Sequence, residues 1–382
     1  MKRVLSLILV CMLAFAAVAE ESIFTATGDD ESAIDVSGNE CLTLSGVTVK
    51  KIGGSASSAD AASFRGVNSA VRVYDNAVLT LSDSVIEASA SNATGVFAYG
   101  NSMVDISDCE ITVTGGGAGG VQVAGGGTII GSNLNVTSSS KAAIRSDRGG
   151  GTIVLDGGTY TSTGKNGCPA IYSTADITVR NAVCVSEQSR AVIIEGKNSV
   201  TLENVEITGN DQSTKEGSVR ANVLLYQSAS GDASMGTSVF SMSGGKMTCL
   251  SGAMFYCTNT DSIINLTGSE LALSGDNMLL IVSAGRWGKD GRNGGDCVLN
   301  AADQALEGDI TVDGISSLAL NLDSSGFTGS INTDGARGDV SVSLTNGSVW
   351  TLTGDSHINS FSGDPADVYT NGYKLYINGK TA

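Results

Sequence analysis

The residues best suited to chemistry fall in three stretches that follow one another along the chain. IRSDRGGG carries Arg145, Asp147 and Arg148, IYSTAD carries Tyr172 and Asp176, and IIEGKNS carries Glu195 and Lys197. A repeat, set out below, puts these groups on three adjacent coils of one scaffold, where they form a polar belt. Two steps between stacked strands span about 10 Å, the length of a disaccharide. Carboxylates beside arginines suit a sugar-binding groove or a calcium-assisted reaction on a sugar. Glycoside hydrolysis needs two carboxylates about 5 to 10 Å apart, and Asp147 with Glu195, or Asp176 with Glu195, is a candidate pair across coils. The competing reading is a set of turn residues whose exposed charges contribute little.

A second candidate is GRWGKDGRNGGD, Gly285 to Asp296. Trp287 lies there in a glycine-rich, charged loop with little nearby to pack on. Flanked by Arg286, Lys289 and Asp290, it is either a platform for a sugar face or a plug folded back on its own coil. Other patterns carry no chemistry. GGGAGGVQVAGGG, Gly115 to Gly127, is not followed by a helix, so it lacks the N-terminus that makes a glycine-rich loop bind phosphate. One histidine and no CxxC argue against zinc. His357 lies near the end of the chain, away from any serine and carboxylate arranged as a triad. The calcium nonapeptide repeat is absent.

The elements that must position these side chains come from one recurring pattern. It runs apolar, x, apolar, x, then Asn, Asp or Gly, then two residues and another apolar one. It reads LTLSDSVI, VDISDCEI, IIGSNLNV, IVLDGGTY, ITVRNAVC, VTLENVEI, FSMSGGKM and INLTGSEL. The fifth residues are Asp83, Asp108, Asn133, Gly157, Asn181, Asn204, Gly244 and Gly268, at spacings of 25, 25, 24, 24, 23, 40 and 24. All are types that tolerate a left-handed backbone. A fixed period of this length, with short alternating strands and no helical periodicity, predicts a solenoid of parallel β coils. The marker is then a corner between two strands, and Asn181 and Asn204 are expected to stack their amides. A further apolar strand follows in each coil, including GVFAYG, AAIRSD, AIYSTA, AVIIEG, NVLLYQ and AMFYCT. The long spacing holds an insertion, Asn210 to Arg220, expected to be a solvent loop. Residues 20–40 and 346–382 are expected to cap a solenoid over 41–345, with Trp350, Tyr369, Tyr373 and Tyr376 packing the C-terminal cap.

Lys2 and Arg3 precede an apolar run, Val4 to Val18, that ends in Ala17-Val18-Ala19. This pattern reads as a secretory signal peptide over 1–19. The mature chain is expected outside the cell, secreted or held at the surface, monomeric and not inserted in a membrane. Removing Lys2 and Arg3 leaves 20 basic against 39 acidic residues, a net charge of −19. The acids are scattered, which disfavours nucleic acid and anionic membranes as partners. Seven cysteines remain: Cys41, Cys109, Cys168, Cys184, Cys249, Cys257 and Cys297. The count is odd and several fall on inward positions of the repeat, so they read as small buried hydrophobes rather than a disulfide framework.

Taken with its repeat, the chain resembles the pectate-lyase-like right-handed parallel β-helix proteins, especially secreted bacterial members described as adhesin-like. IRSDRGGG, CPAIYSTADI and EGKNS carry the resemblance most closely, and it covers Leu42 to about Leu280. It implies a right-handed, single-stranded β-helix. In lyases of that family it implies an Arg or Lys base with acidic residues holding calcium. Arg148 or Lys197 would then be the base, Asp147, Asp176 and Glu195 would hold the calcium, and Glu195 is a further catalytic candidate. No acidic triplet of the metal-binding type is present, which departs from the enzyme pattern. Fold alone does not select a function here. Two readings follow. One is a non-catalytic extracellular scaffold that binds a polysaccharide or host glycan through Arg145, Asp147, Arg148, Tyr172, Asp176, Glu195, Lys197 and Trp287. The other is a calcium-dependent polysaccharide lyase or a glycoside hydrolase.

Overall fold

A computed structural model describes residues 22–382 apart from 166, 215–217, 274 and 336–337. The leader expected at 1–19 lies outside the described residues. The chain is nearly all strand, and its strands pair in parallel from coil to coil. Among the described residues, the one antiparallel strand pair joins Leu375–Ile377 to Lys380–Thr381. This is an architecture consistent with a parallel β-helix.

Each coil contributes to three ladders. The first ladder runs through Val78–Ser82, Met103–Ser107 and onward, so that Leu79, Val104, Ile129, Ile153, Ile177, Val200, Phe240 and Ile264 lie in one inward row. The second ladder begins just past the corner, with Val85–Ala88 and its successors stacking Ile86, Ile111, Val136, Tyr160, Cys184, Ile207, Met247 and Leu271. All of these except the half-buried Leu271 are sealed from solvent. The third ladder is built from Val96–Tyr99, Val121–Ala124, Ile144–Ser146, Ile171–Ser173, Val192–Glu195, Ala221–Tyr226 and Ala253–Thr258.

The eight marker residues all have positive φ, between 49° at Asn181 and 73° at Gly157. Each turns the chain between the first and second ladders, which is why Asn, Asp and Gly fill these eight positions. The pattern continues past 280 at Asp303, Ser324 and Asn346. Asn204 Nδ2 donates to Asn181 Oδ1 at 3.0 Å, and Asn181 Nδ2 donates to Asp156 Oδ1 at 2.8 Å, so the corner amides form the expected ladder. Six cysteines, Cys109, Cys168, Cys184, Cys249, Cys257 and Cys297, are free and buried.

Four local features differ from what the pattern predicts. A short helix, Ala59–Arg65, interrupts the all-strand chain. Ser58 caps its first turn by accepting from the Ala61 N–H, and Gly66 ends it at φ 66°. Seven residues are too few for helical periodicity to emerge against the strand pattern. Residues 22–40 are coils like the rest: Ile23–Ala26 pairs with Thr48–Lys51 and Ile34–Val36 with Val71–Val73. At the other end Trp350 is fully buried, stacked on Phe327, and donates from Nε1 to Gly329 O at 3.0 Å. Tyr369 and Tyr373 are exposed instead of packed, while Tyr376 stacks on His357. In the insertion after Asn210, Gln212, Thr214 and Arg220 are exposed as expected, but Asp211 turns inward, 1% exposed and paired with Arg190.

Candidate functional site

The third ladder departs from strand alternation. In Val192–Glu195, Ala221–Tyr226 and Ala253–Thr258 every residue is buried, on the outward face as well as the inward one. Strands buried on both faces read as continuous apolar runs, and AVIIEG, NVLLYQ and AMFYCT are such runs. Their outward row is Gln122, Arg145, Tyr172, Ile193, Leu224, Tyr256 and Ile281. Ile193, Ala221, Leu224, Tyr226, Ala253 and Tyr256 form a second apolar cluster outside the main core, with Tyr172 and Trp287 packed against it.

Three additions cover this face. The helix lies over its N-terminal part, where Gln122 Nε2 donates to Ser63 O at 2.9 Å and Lys141 Nζ donates to Ser63 Oγ at 2.7 Å. Two insertions share the long spacing, one between the strands ending at Gly209 and starting at Ala221, the other between Tyr226 and Ser238. The loop after Val282 brings in Trp287. Its backbone is held by Asn293 Nδ2, which donates to Gly285 O at 2.7 Å and to Trp287 O at 2.9 Å. Gly285 permits the close approach, because a Cβ there would fall 2.4 Å from the Tyr256 hydroxyl.

Between these additions lies a cleft of about 410 Å³, lined by Tyr172, Ile193, Leu224 and Tyr226 on the ladder and by Arg190, Ser213, Thr214, Ser218, Arg286 and Trp287 around it. The Trp287 indole leans on the Tyr226 ring at 4.5 Å between centroids, and the Arg286 guanidinium lies 4.4 Å from the indole centroid. Arg190, at one wall, pairs with Asp211 at 3.1 Å and donates to Val219 O at 2.6 Å.

Of the belt residues, the structure brings Arg145, Asp147, Tyr172 and Glu195 together. Arg145 donates to Asp147 Oδ2 from Nε at 3.0 Å and from Nη2 at 2.8 Å, and its guanidinium lies 4.5 Å from the Tyr172 centroid. Burial opposes the Arg145 charge most, but Asp147, Tyr172 and Tyr226 together raise its pKa above the usual arginine value. Glu195 is 1% exposed, and hydroxyls satisfy both its oxygens. Oε2 accepts from Tyr172 and from Tyr226 at 2.9 Å, and Oε1 accepts from Ser228 and from Ser230 at 3.4 Å. Burial raises the pKa of both tyrosines, reinforced at Tyr172 by Tyr226 and Glu195 and at Tyr226 by Glu195, so both remain donors.

The other three belt residues lie apart. Asp176 begins a first-ladder strand, around the corner from the cleft, and accepts from Ser199 Oγ at 2.8 Å. Arg148 clamps two coverings together, lying 4.2 Å from the Phe64 centroid and donating to Asp232 Oδ1 at 3.0 and 2.6 Å. Lys197 is exposed beyond Gly196. The candidate calcium ligands Asp147, Asp176 and Glu195 are therefore not gathered, and no group of three His, Cys, Asp or Glu is placed to hold a metal among the described residues. Glu195 and Asp147 are each engaged by donors of the fold, an arrangement that positions the tyrosines and Arg145 rather than freeing a base.

Sequence reasoning missed Arg190, Tyr226, Asp211 and Ser228. The available signal was an arginine directly before a continuously apolar strand, and two polar insertions flanking another. Compared with family models, curated proteins and solved structures, the chain matches none.

Proposed function

We propose that this protein is an extracellular solenoid whose third-ladder cleft binds a polysaccharide or glycan without transforming it. In this reading the coils form a right-handed, single-stranded β-helix of the pectate-lyase-like kind, exported by the leader at 1–19. The observation that carries the proposal is the cleft itself: an apolar, aromatic floor and wall, with arginine and hydroxyl groups around it, raised on an otherwise regular scaffold. A sugar presents an apolar face and a rim of hydroxyls. Tyr172, Ile193, Leu224 and Trp287 offer the first a surface, while Arg190, Ser213, Thr214 and Arg286 offer the second donors and acceptors. The floor is preorganised, because Glu195 fixes both tyrosine rings, so little ordering is lost on binding.

The test is a pulldown on insoluble polysaccharides with wild type, Trp287→Ala and the exposed control Tyr373→Ala. Retention by wild type and the control, lost at least tenfold in Trp287→Ala, is the expected result. Equal retention of all three proteins would place binding elsewhere, and no retention by any would remove the reading.

A further inference from the structure

The Arg190 side chain has bonds it does not make. The residue is 7% exposed, its Nη2 reaches Asp211 and Val219 O, and its Nε is buried without a partner. Among buried polar groups such an orphan is unusual and costly to leave unmade. Its pKa is lowered by burial, an effect that Asp211 opposes and Arg286 adds to. The two guanidiniums that line the cleft thus repel each other, and Asp211 pairs with Arg190. Glu195 is hydrogen-bonded to Tyr172, Tyr226 and Ser228 and to neither of these arginines.

We infer that the cleft takes a saccharide carrying a single negative charge, a carboxylate or a sulfate, held by Arg190 and Arg286 with its ring against Trp287. The inference rests on the glycan reading and names the class of sugar. An anion there would accept from the guanidinium groups that line the cleft and offset the repulsion between the arginines. Guanidinium forks match the paired oxygens of a carboxylate or sulfate better than they match single hydroxyls. Arg286 is prepositioned by its stacking on the indole, which brings cation and aromatic surface to the same wall. The size of the cleft and the charge of the chain limit the ligand. A volume of about 410 Å³ holds a short saccharide. The whole chain carries a net charge of −17. A polyanion laid along the solenoid would meet that field at every unit, whereas one terminal or isolated acidic residue meets the local arginines within the screening distance of about 8 Å.

A glycan array of matched neutral, singly uronate-bearing, singly sulfated and polyanionic oligosaccharides, probed with the full-length protein, tests this. Singly charged glycans should bind at least tenfold more tightly than their neutral matches, and uronate and sulfate arms show which oxyanion is preferred. Arg286→Gln, a change at an exposed side chain that leaves the Arg190–Asp211 pair intact, should abolish that preference, a loss of about tenfold to a hundredfold for a charge-assisted contact. Arg190→Gln should do the same where its melting temperature shows it folded. Neutral glycans binding as well as acidic ones, or a preference that survives Arg286→Gln, would overturn the inference and leave the glycan reading standing. Preference for polyanions over singly charged glycans would overturn it too. A blank array would overturn both.

Discussion

The first and third ladders are built by the same coils, at the same spacing, yet they present different surfaces. Along the first ladder strands alternate, as in Ser199–Glu203 and Asp261–Thr267, with apolar residues inward and Thr, Ser, Asn and acids outward. Asn321 donates to Asn300 and Asn300 to Asn265, each at 2.9 Å, as an exposed run of amides. Along the third ladder the outward residues from Tyr172 to Ile281 are apolar or aromatic, and the row as a whole is covered by helix and loops. The coil-to-coil hydrogen bonds need only one buried face. A second buried face is an addition, made by inserted segments, and the cleft lies where those segments leave a gap. The regular ladder is scaffold, and the covered ladder holds the proposed site.

Substitutions that separate the two should differ in size. The largest effect is expected where a covered charge loses its partner. Asp147→Ala leaves the Arg145 guanidinium buried and uncompensated and should cost about 3–5 kcal/mol in denaturant unfolding. Glu270→Ala breaks the exposed Lys246–Glu270 pair, whose side chains are 45% and 63% exposed, and should change stability by about 1 kcal/mol or less. Equal costs would erase the distinction. Next, Leu224→Ala, in the outward row, should cost about 2–5 kcal/mol like a core residue. Ser241→Ala, outward on the first ladder, should stay within about 0.5 kcal/mol. A cost for Leu224→Ala below about 1 kcal/mol would mean the coverings do not hold that face in solution.

This contrast also explains how far the sequence could be read. The corner residues were legible because a left-handed backbone excludes most side chains, so Asp83, Asn181 and Gly268 mark the period by type alone. Inward rows were legible through alternation. The coverings were not, because each occurs once. Ser58 and Gly66 flank the helix with good caps, but a helix of about two turns has no period to repeat. The insertion at Asn210 looks polar and solvent-bound, and nothing local shows that Asp211 will turn inward to meet Arg190. Of the belt, Arg145, Asp147, Tyr172 and Glu195 fell into place because coil alignment is reliable within a strand. Asp176 did not, since a few residues past the strand the chain has already turned onto the next ladder.

Smaller effects sharpen the same comparison. Burial lowers the Lys141 pKa to about 8, from the usual 10.5. Between those values the unfolded chain binds more protons, so this contribution to stability rises as pH increases from about 8 to about 10.5. The buried thiols act oppositely, with Cys109 pushed up to about 11 and Cys184 to about 12 by burial. The stability difference between wild type and Lys141→Met should therefore shift in favour of wild type as pH rises through that window. A flat difference would put Lys141 in solvent rather than under the helix. The thiols themselves should react with a colorimetric disulfide reagent at neutral pH only after unfolding, and rapid native labelling of Cys109 or Cys184 would contradict a sealed core.

The central claim is that the third-ladder cleft binds a glycan at Trp287, and the chain carries only one other tryptophan, Trp350. Trp350→Phe, a fully buried replacement stacked on Phe327, leaves Trp287 as the sole indole reporter. Fluorescence titration of that variant against a panel of glycans is the most direct measurement. The account predicts a saturable change in Trp287 emission for a subset of them, lost on Leu224→Arg, which fills the cleft floor. Glycan binding detected by calorimetry with no change in Trp287 emission would contradict it.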